Sequence, residues 1–127
     1  MRILFVDDNP LMQQVISHYL EIQGYEVVVV GEGAEAIDIA RRESFQLYLI
    51  DMRLPDQDGP EILASLRTLP DGGRRPAIAV SGLGEEERAR TMEAGFDAFL
   101  AKPIDLDDLT RMVRRFVAPD NAQAVGI

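Results

Sequence analysis

Five short apolar runs recur along the chain, and the stretches between them carry a helical apolar period. Parallel strands covered on both faces read as unbroken apolar runs, and the crossovers that join them read as amphipathic helices. The runs are Ile3 to Val6, Val27 to Val30, Leu47 to Ile50, Ala77 to Val80 and Ala98 to Leu100. Asn9 followed by Pro10 predicts the start of a first helix, with Leu11, Val15, Tyr19 and Leu20 on its inward face and Gly24 as its stop. A second helix is expected over Ala34 to Glu43, turning Ala36, Ile37 and Ala40 inward, and a third from about Pro60 to Leu69 on Ile62, Leu63 and Leu66. Pro70 to Gly73 reads as a loop. Glu85 to Ala94 predicts a fourth helix, poor in large apolar residues and so the least firmly packed. Asp105 predicts the cap of a fifth, where Leu106, Leu109, Met112, Val113 and Phe116 keep a clear helical period. Five strands alternating with five helices give an α/β fold: a doubly wound, flavodoxin-like (βα)5 parallel sheet, strand order 2-1-3-4-5, with helices on both faces. The expected organisation is one domain over residues 1–118 and a flexible tail or linker start over 119–127.

Several function classes fall away on composition. The net charge is -9, from 13 basic and 22 acidic residues, which argues against nucleic-acid binding by this domain. Cysteine is absent, so there is no disulfide framework, thiol chemistry or cysteine metal site. No run of apolar residues is long enough for a membrane span, and the apolar start at Met1 to Val6 is too short for a signal peptide; the expected location is the cytoplasm.

Ligands of such sheets bind outside the carboxyl ends of the strands, at the topological switch point. Asp7 and Asp8 follow the first run, Asp51 the third, Ser81 the fourth, and Lys102-Pro103 the fifth. In the strand order above these groups converge on one rim. Three carboxylates brought together repel one another unless a cation offsets them. Magnesium, which takes near-octahedral oxygen ligation, is the economical partner, and manganese could substitute. Asp8 and Asp51 are the best direct ligands, Asp7 binds directly or through water, and the Arg53 carbonyl could complete the protein's share. A carboxylate can attack phosphorus to give an aspartyl phosphate, a reaction helped mainly by positioning and positive charge. Lys102 supplies such a charge and Ser81 a hydrogen-bond donor. With no activated base in sight, the pattern fits acceptance from a reactive donor better than enzymatic turnover of a stable substrate.

Val6-Asp7-Asp8-Asn9, Asp51 through Gly59, Ser81-Gly82 and Lys102-Pro103-Ile104, in that order on those strand ends, resemble the receiver domain of bacterial two-component response regulators. The resemblance runs from Arg2 to about Val117, and the stretch Ala94 to Ile104 is similar to receivers attached to hybrid histidine kinases. It implies that Asp51 is the phosphoacceptor, that Asp7, Asp8 and the Arg53 carbonyl belong to a magnesium site, and that Lys102 contacts the phosphoryl group. It further implies a cis Lys102-Pro103 bond, Ser81 as the switch hydroxyl and Phe99 as the switch aromatic, here without the hydroxyl a Tyr would carry. Arg53 and Leu83 stand where the family tunes dephosphorylation. The implied partners are a sensor histidine kinase or histidine phosphotransfer protein and a downstream target or output domain outside this chain, with the domain itself a monomer or weak dimer.

Plainer readings exist for each residue. Asp7 and Asp8 suit a helix N-terminus, Asp51 a strand end, Lys102 the surface, and Ser81-Gly82 an ordinary turn. His18 is expected to be exposed, off the Leu11 and Val15 side; Asp56 and Asp58 are expected in loop and cap roles, and the five methionines as core filler. Competing functions are an aspartate phosphatase, a degenerate receiver acting as a constitutive interaction module, and a flavin-binding module. The first commonly carries a second Asp where Arg53 stands, intact Asp51, Asp8 and Lys102 argue against the second, and acidic strand ends against the third.

Overall fold

The computed structural model of the protein describes residues 1–70 and 75–118, with Glu85 by its backbone alone. Most of the loop expected at Pro70 to Gly73 and the whole tail expected over 119–127 lie outside the described residues. Strand and helix alternate throughout: β1 (Arg2–Val6), α1 (Pro10–Ile22), β2 (Glu26–Val30), α2 (Gly33–Arg42), β3 (Leu47–Asp51), α3 (Gly59–Arg67), β4 (Ala77–Ser81), α4 (Gly84–Glu93), β5 (Ala98–Ala101) and α5 (Leu106–Phe116). The strands form one sheet in the order β2-β1-β3-β4-β5, every neighbouring pair parallel. This is the doubly wound, flavodoxin-like arrangement that the alternating pattern predicts.

The pleat divides the core in two. Ile3 and Phe5 pack with Ile16, Leu20, Leu109 and Val113 on the α1 and α5 side. Leu4 and Val6 face the other way, against Ala36, Ile62, Leu63 and Leu66 from α2 and α3. Each large side chain fully buried in this way contributes about 1.5–3 kcal/mol of hydrophobic transfer free energy. β3 and β4 are buried along their whole length, whereas β2 is only half-buried because it is the edge strand. Its apolar run therefore does not signify cover on both faces, as the sequence had implied.

The first helix corrects the sequence reading. Met12, Ile16, Tyr19 and Leu20 face the core, while Leu11 is 67% and Val15 42% exposed. The helix carries two apolar stripes, and periodicity alone does not say which meets the sheet. Exposed His18 lies on the outer stripe, lining a surface groove with Val15 and Ile22, and not off that side as expected. The methionines also divide: Met52 is buried and Met12 and Met112 pack on the core, but Met1 and Met92 are exposed.

The caps are local chemistry. Asn9 Oδ1 accepts from the N–H groups of Leu11 and Met12, starting α1 at Pro10. Asp58 and Glu61 form a reciprocal capping box on α3. Asp105 accepts from the N–H groups of Asp107 and Asp108 at the head of α5. Helix α4 is different: among its described side chains the buried ones are Glu87 and Thr91, with no large apolar residue among them.

Candidate functional site

β1 ends at Val6, and the chain turns at once into α1. Asp7, fully buried, controls that turn: its Oδ1 accepts the Asn9 N–H at 2.9 Å, and its carbonyl accepts from Gln13 Nε2 at 2.6 Å. The turn leaves Asp8 exposed at the mouth of the sheet. Asp51 is the last residue of β3 and 5% exposed. One of its oxygens accepts the Arg53 N–H at 3.0 Å; the other accepts from Lys102 Nζ at 2.9 Å. Lys102 arrives from the end of β5, where its own N–H donates to the Ser81 carbonyl at 2.8 Å and its peptide bond to Pro103 is cis. Ser81 closes β4, 2% exposed, with its Oγ accepting the Leu83 N–H at 3.1 Å. This is the turn bond of the plainer reading, yet Ser81 also lines the cleft.

That cleft, about 310 Å³, is lined by Asp7, Asp8, Asp51, Arg53, Ser81 and Lys102, together with Asn9, Gly82 and Leu83. The structure thus gathers every strand-end residue that the sequence singled out. Phe99 is the exception by design of the sheet: it lies within β5, 5% exposed in the core, with the Arg88 guanidinium 4.8 Å above its ring.

The electrostatics of the cleft are unbalanced. Carboxylate oxygens of Asp7, Asp8 and Asp51 all lie within 4.8 Å of one another. Burial pushes the Asp7 carboxyl above the ordinary carboxylate range, and the charges of Asp51 and Asp8 push the same way; the Asn9 N–H and Lys102 oppose them. Asp7 Oδ2 is buried without a hydrogen-bond partner among the described residues. An orphaned carboxylate oxygen facing two further carboxylates fits a hard divalent cation, which prefers oxygen ligands of this type.

The loop between β3 and α3 is tightly held. Arg53 and Asp58 form an isolated antiparallel bridge, Leu54 N–H donates to the Gln57 carbonyl, and Gly59 N–H donates to the Met52 carbonyl. A Cβ at Gly59 would lie 2.7 Å from Met52 Sδ and 3.1 Å from Met52 Cα, so only glycine admits this approach. Asp56 reaches from the loop to α2, where its carboxylate accepts the N–H groups of Gly33 (2.9 Å) and Ala34 (3.0 Å), which hold its carboxyl below the usual carboxylate range. Neither this remote cap nor Gln13 holding the Asp7 carbonyl was legible in the sequence, because neither contact follows a local spacing rule.

The family model of the response regulator receiver domain matches residues 3–114. The chain belongs to that family. A 14.6 kDa protein of Leptolyngbya boryana is 36% identical over 117 residues, 91% of this chain and 89% of that protein. The polar-differentiation response regulator DivK of Brucella ovis is 30% identical over 118 residues, 91% of this chain and 94% of that protein. The receiver domain of the sensor histidine kinase PA1611 of Pseudomonas aeruginosa superposes with a TM-score of 0.84 at 34% identity, over 91% of this chain and 95% of that one. That crystal structure has a magnesium ion coordinated in its active-site cleft. As a receiver domain of the two-component type, this chain has its acidic cluster at the place the family uses. Among the described residues, no helix is long and apolar enough to cross a membrane.

Proposed function

We propose that this receiver domain accepts a phosphoryl group on Asp51 from the phosphohistidine of a sensor histidine kinase or phosphotransfer protein. The observation that carries the reading is the pairing of Asp51 Oδ2 with Lys102 Nζ at 2.9 Å, beside a buried Asp7 oxygen that has no partner among the described residues. Asp7, Asp8, Asp51 and the Arg53 carbonyl would hold magnesium, or manganese in its place. When bound, the cation offsets the three carboxylates and the charge on the incoming phosphoryl oxygens.

The protein's own groups supply the rest. An Asp51 oxygen forms the new P–O bond while the P–N bond of the donor breaks, its electron pair passing to the imidazole nitrogen. The Arg53 N–H on Asp51 Oδ1 fixes the carboxylate plane. Lys102 moves from the Asp51 oxygen onto a phosphoryl oxygen, a short swing for a flexible ammonium. Ser81 Oγ already accepts from Leu83, so its hydrogen remains to donate to the phosphoryl group. Acceptance from a reactive phosphohistidine needs no activated base, so the proposed role is a switch that modifies itself.

Drawing Ser81 toward the phosphoryl group would pull the loop leading into α4. Because α4 buries no large apolar side chain among those described, a second packing of α4 against Phe99 costs little, and the α4/β5 face becomes the signal a partner reads. The donor would meet the other side of the cleft mouth. There the exposed Val15 lines an apolar hollow with Met12, Pro103 and Ile104, and the exposed Leu11 lies one helical turn earlier on the same stripe of α1. The reading places the domain in the cytoplasm with its donor, without nucleic acid, as a monomer or weak dimer.

The test is incubation with magnesium and a small-molecule phosphodonor, followed by intact-mass measurement. The expected result is a single phosphoryl adduct that disappears with EDTA or in Asp51→Asn. A folded protein that gains no adduct would overturn the reading in favour of a constitutive interaction module, and steady phosphate release from a stable ester would favour a phosphatase.

A further inference from the structure

Outside the cleft, one cluster of charged side chains links elements far apart in sequence. Arg90 of α4 places Nη2 2.9 Å from Asp58 Oδ2 and Nη1 3.6 Å from Glu87 Oε2. Glu87 is 6% exposed, and its other oxygen is buried without a partner among the described residues. Asp58 is occupied on every side: its Oδ1 accepts the Glu61 N–H at 3.1 Å to cap α3, and its backbone bridges Arg53. Arg53 in turn donates its N–H to Asp51. A continuous set of contacts thus runs from a buried carboxylate under α4, through the two-pronged guanidinium, to the loop that presents the Arg53 carbonyl.

We infer that Arg90 is a positioning residue that latches α4 to the β3–α3 loop, so that the cation affinity of the cleft and the placement of α4 depend on each other. The inference rests on the cation-binding reading given above. An exposed ion pair alone would carry no such role, since pairs of that kind contribute little. The buried Glu87 makes the difference. If Arg90 leaves, a carboxylate is stranded in the interior, so the guanidinium is held in place from beneath while it holds Asp58 above. Arginine suits the task because its planar fork reaches two carboxylates at once, which a lysine ammonium on a single point does not. A coupling of this kind is reciprocal: whatever moves α4 changes the cleft's affinity for its cation, and the cation biases α4.

The test uses the full chain and magnesium alone. Dissociation constants are measured by calorimetry for wild type, Asp58→Asn, Arg90→Met and Arg90→Lys, and α4 amide resonances are followed by NMR during the same titration. Asparagine keeps an oxygen for the α3 cap while removing the charge that faces Arg90. Charge alone predicts opposite changes: losing Asp58's carboxylate weakens cation binding, and losing Arg90's cation strengthens it. The latch predicts that all three variants bind magnesium about five-fold more weakly, the low end of an ordinary coupling, and that α4 resonances that move in wild type no longer follow the titration. Opposite-signed changes, or α4 shifts that persist in Asp58→Asn and Arg90→Lys, would overturn it. If wild-type cleft resonances themselves do not respond to magnesium, the cation reading fails, and the latch with it.

Discussion

Asp7 is held in the folded protein at a cost, and removing its charge should stabilise the metal-free domain. Its side chain is fully buried, one oxygen has no partner among the described residues, and two other carboxylates approach within 4.8 Å. Two unit charges at that distance repel by about 3.5 kcal/mol at an effective dielectric constant of 20. Lys102 and the Asn9 N–H return part of this. Asparagine at position 7 can still accept the Asn9 N–H, and its amide hydrogens can face the neighbouring carboxylates. We therefore expect Asp7→Asn to gain about 1–2 kcal/mol at neutral pH in chelator, a rise in Tm of about 3–10 °C for a chain of this size. The pH dependence has a definite sign. A raised carboxyl binds its proton in the folded state where the unfolded chain has lost it, so wild-type stability falls as pH rises through that window. The advantage of the variant should grow with pH above the ordinary carboxylate value and vanish in acid. If Asp7 helps hold magnesium as proposed, the saturating cation should reverse the order, because a ligand at about 100 times its Kd adds about 2.7 kcal/mol to the state that binds it. Thermal melts across pH, with chelator and with magnesium, check all three points. A metal-free variant less stable than wild type at neutral pH, or one whose advantage grows on acidification, would show that the Asp7 charge carries no such cost.

Three further outcomes follow from the geometry. Asp56, its acidity strengthened by the N–H groups of Gly33 and then Ala34, adds stability that is complete above the ordinary carboxylate value and is lost as pH falls through its lowered folded one; Asp56→Asn should flatten that acid limb of the melting profile. Gly59→Ala, which drives a Cβ to 2.7 Å from Met52 Sδ and 3.1 Å from its Cα, should destabilise the fold by about 1–3 kcal/mol in a denaturant titration. Leu11→Glu, at a 67% exposed position on the outer stripe of α1, should leave phosphorylation by a small-molecule donor unchanged and slow transfer from a histidine-containing protein donor at least ten-fold in rapid-quench measurements.

How much of this was legible in the sequence depends on whether the signal is local. Asn9, Asp58 and Asp105 announce helix starts because an N-cap bonds within three residues of itself. The alternating runs announce the sheet, and the sheet's topology brings Asp7, Asp51, Ser81 and Lys102 to one rim without further information. Which stripe of α1 faces inward was not legible, since Leu11 and Val15 are as apolar as Met12 and Ile16. The edge position of β2 was likewise invisible, because Val27 to Val30 match a central strand in composition. Asp56 on the α2 terminus and Arg90 on Asp58 join elements separated by 22 or more positions, and no spacing rule reaches that far.

Chemical trapping reads out which residue carries the phosphoryl group, proposed above to be Asp51. An acyl phosphate is reduced by borohydride to an alcohol, which converts a phosphorylated aspartate to homoserine and leaves a hydroxyl or imidazole phosphate unreduced. After exposure to magnesium and a phosphodonor, then borohydride, peptide sequencing by tandem mass spectrometry locates the modified residue. Homoserine is expected at position 51, and absent when EDTA precedes the donor. A phosphoryl group retained on Ser81 or His18, with Asp51 untouched, would contradict it.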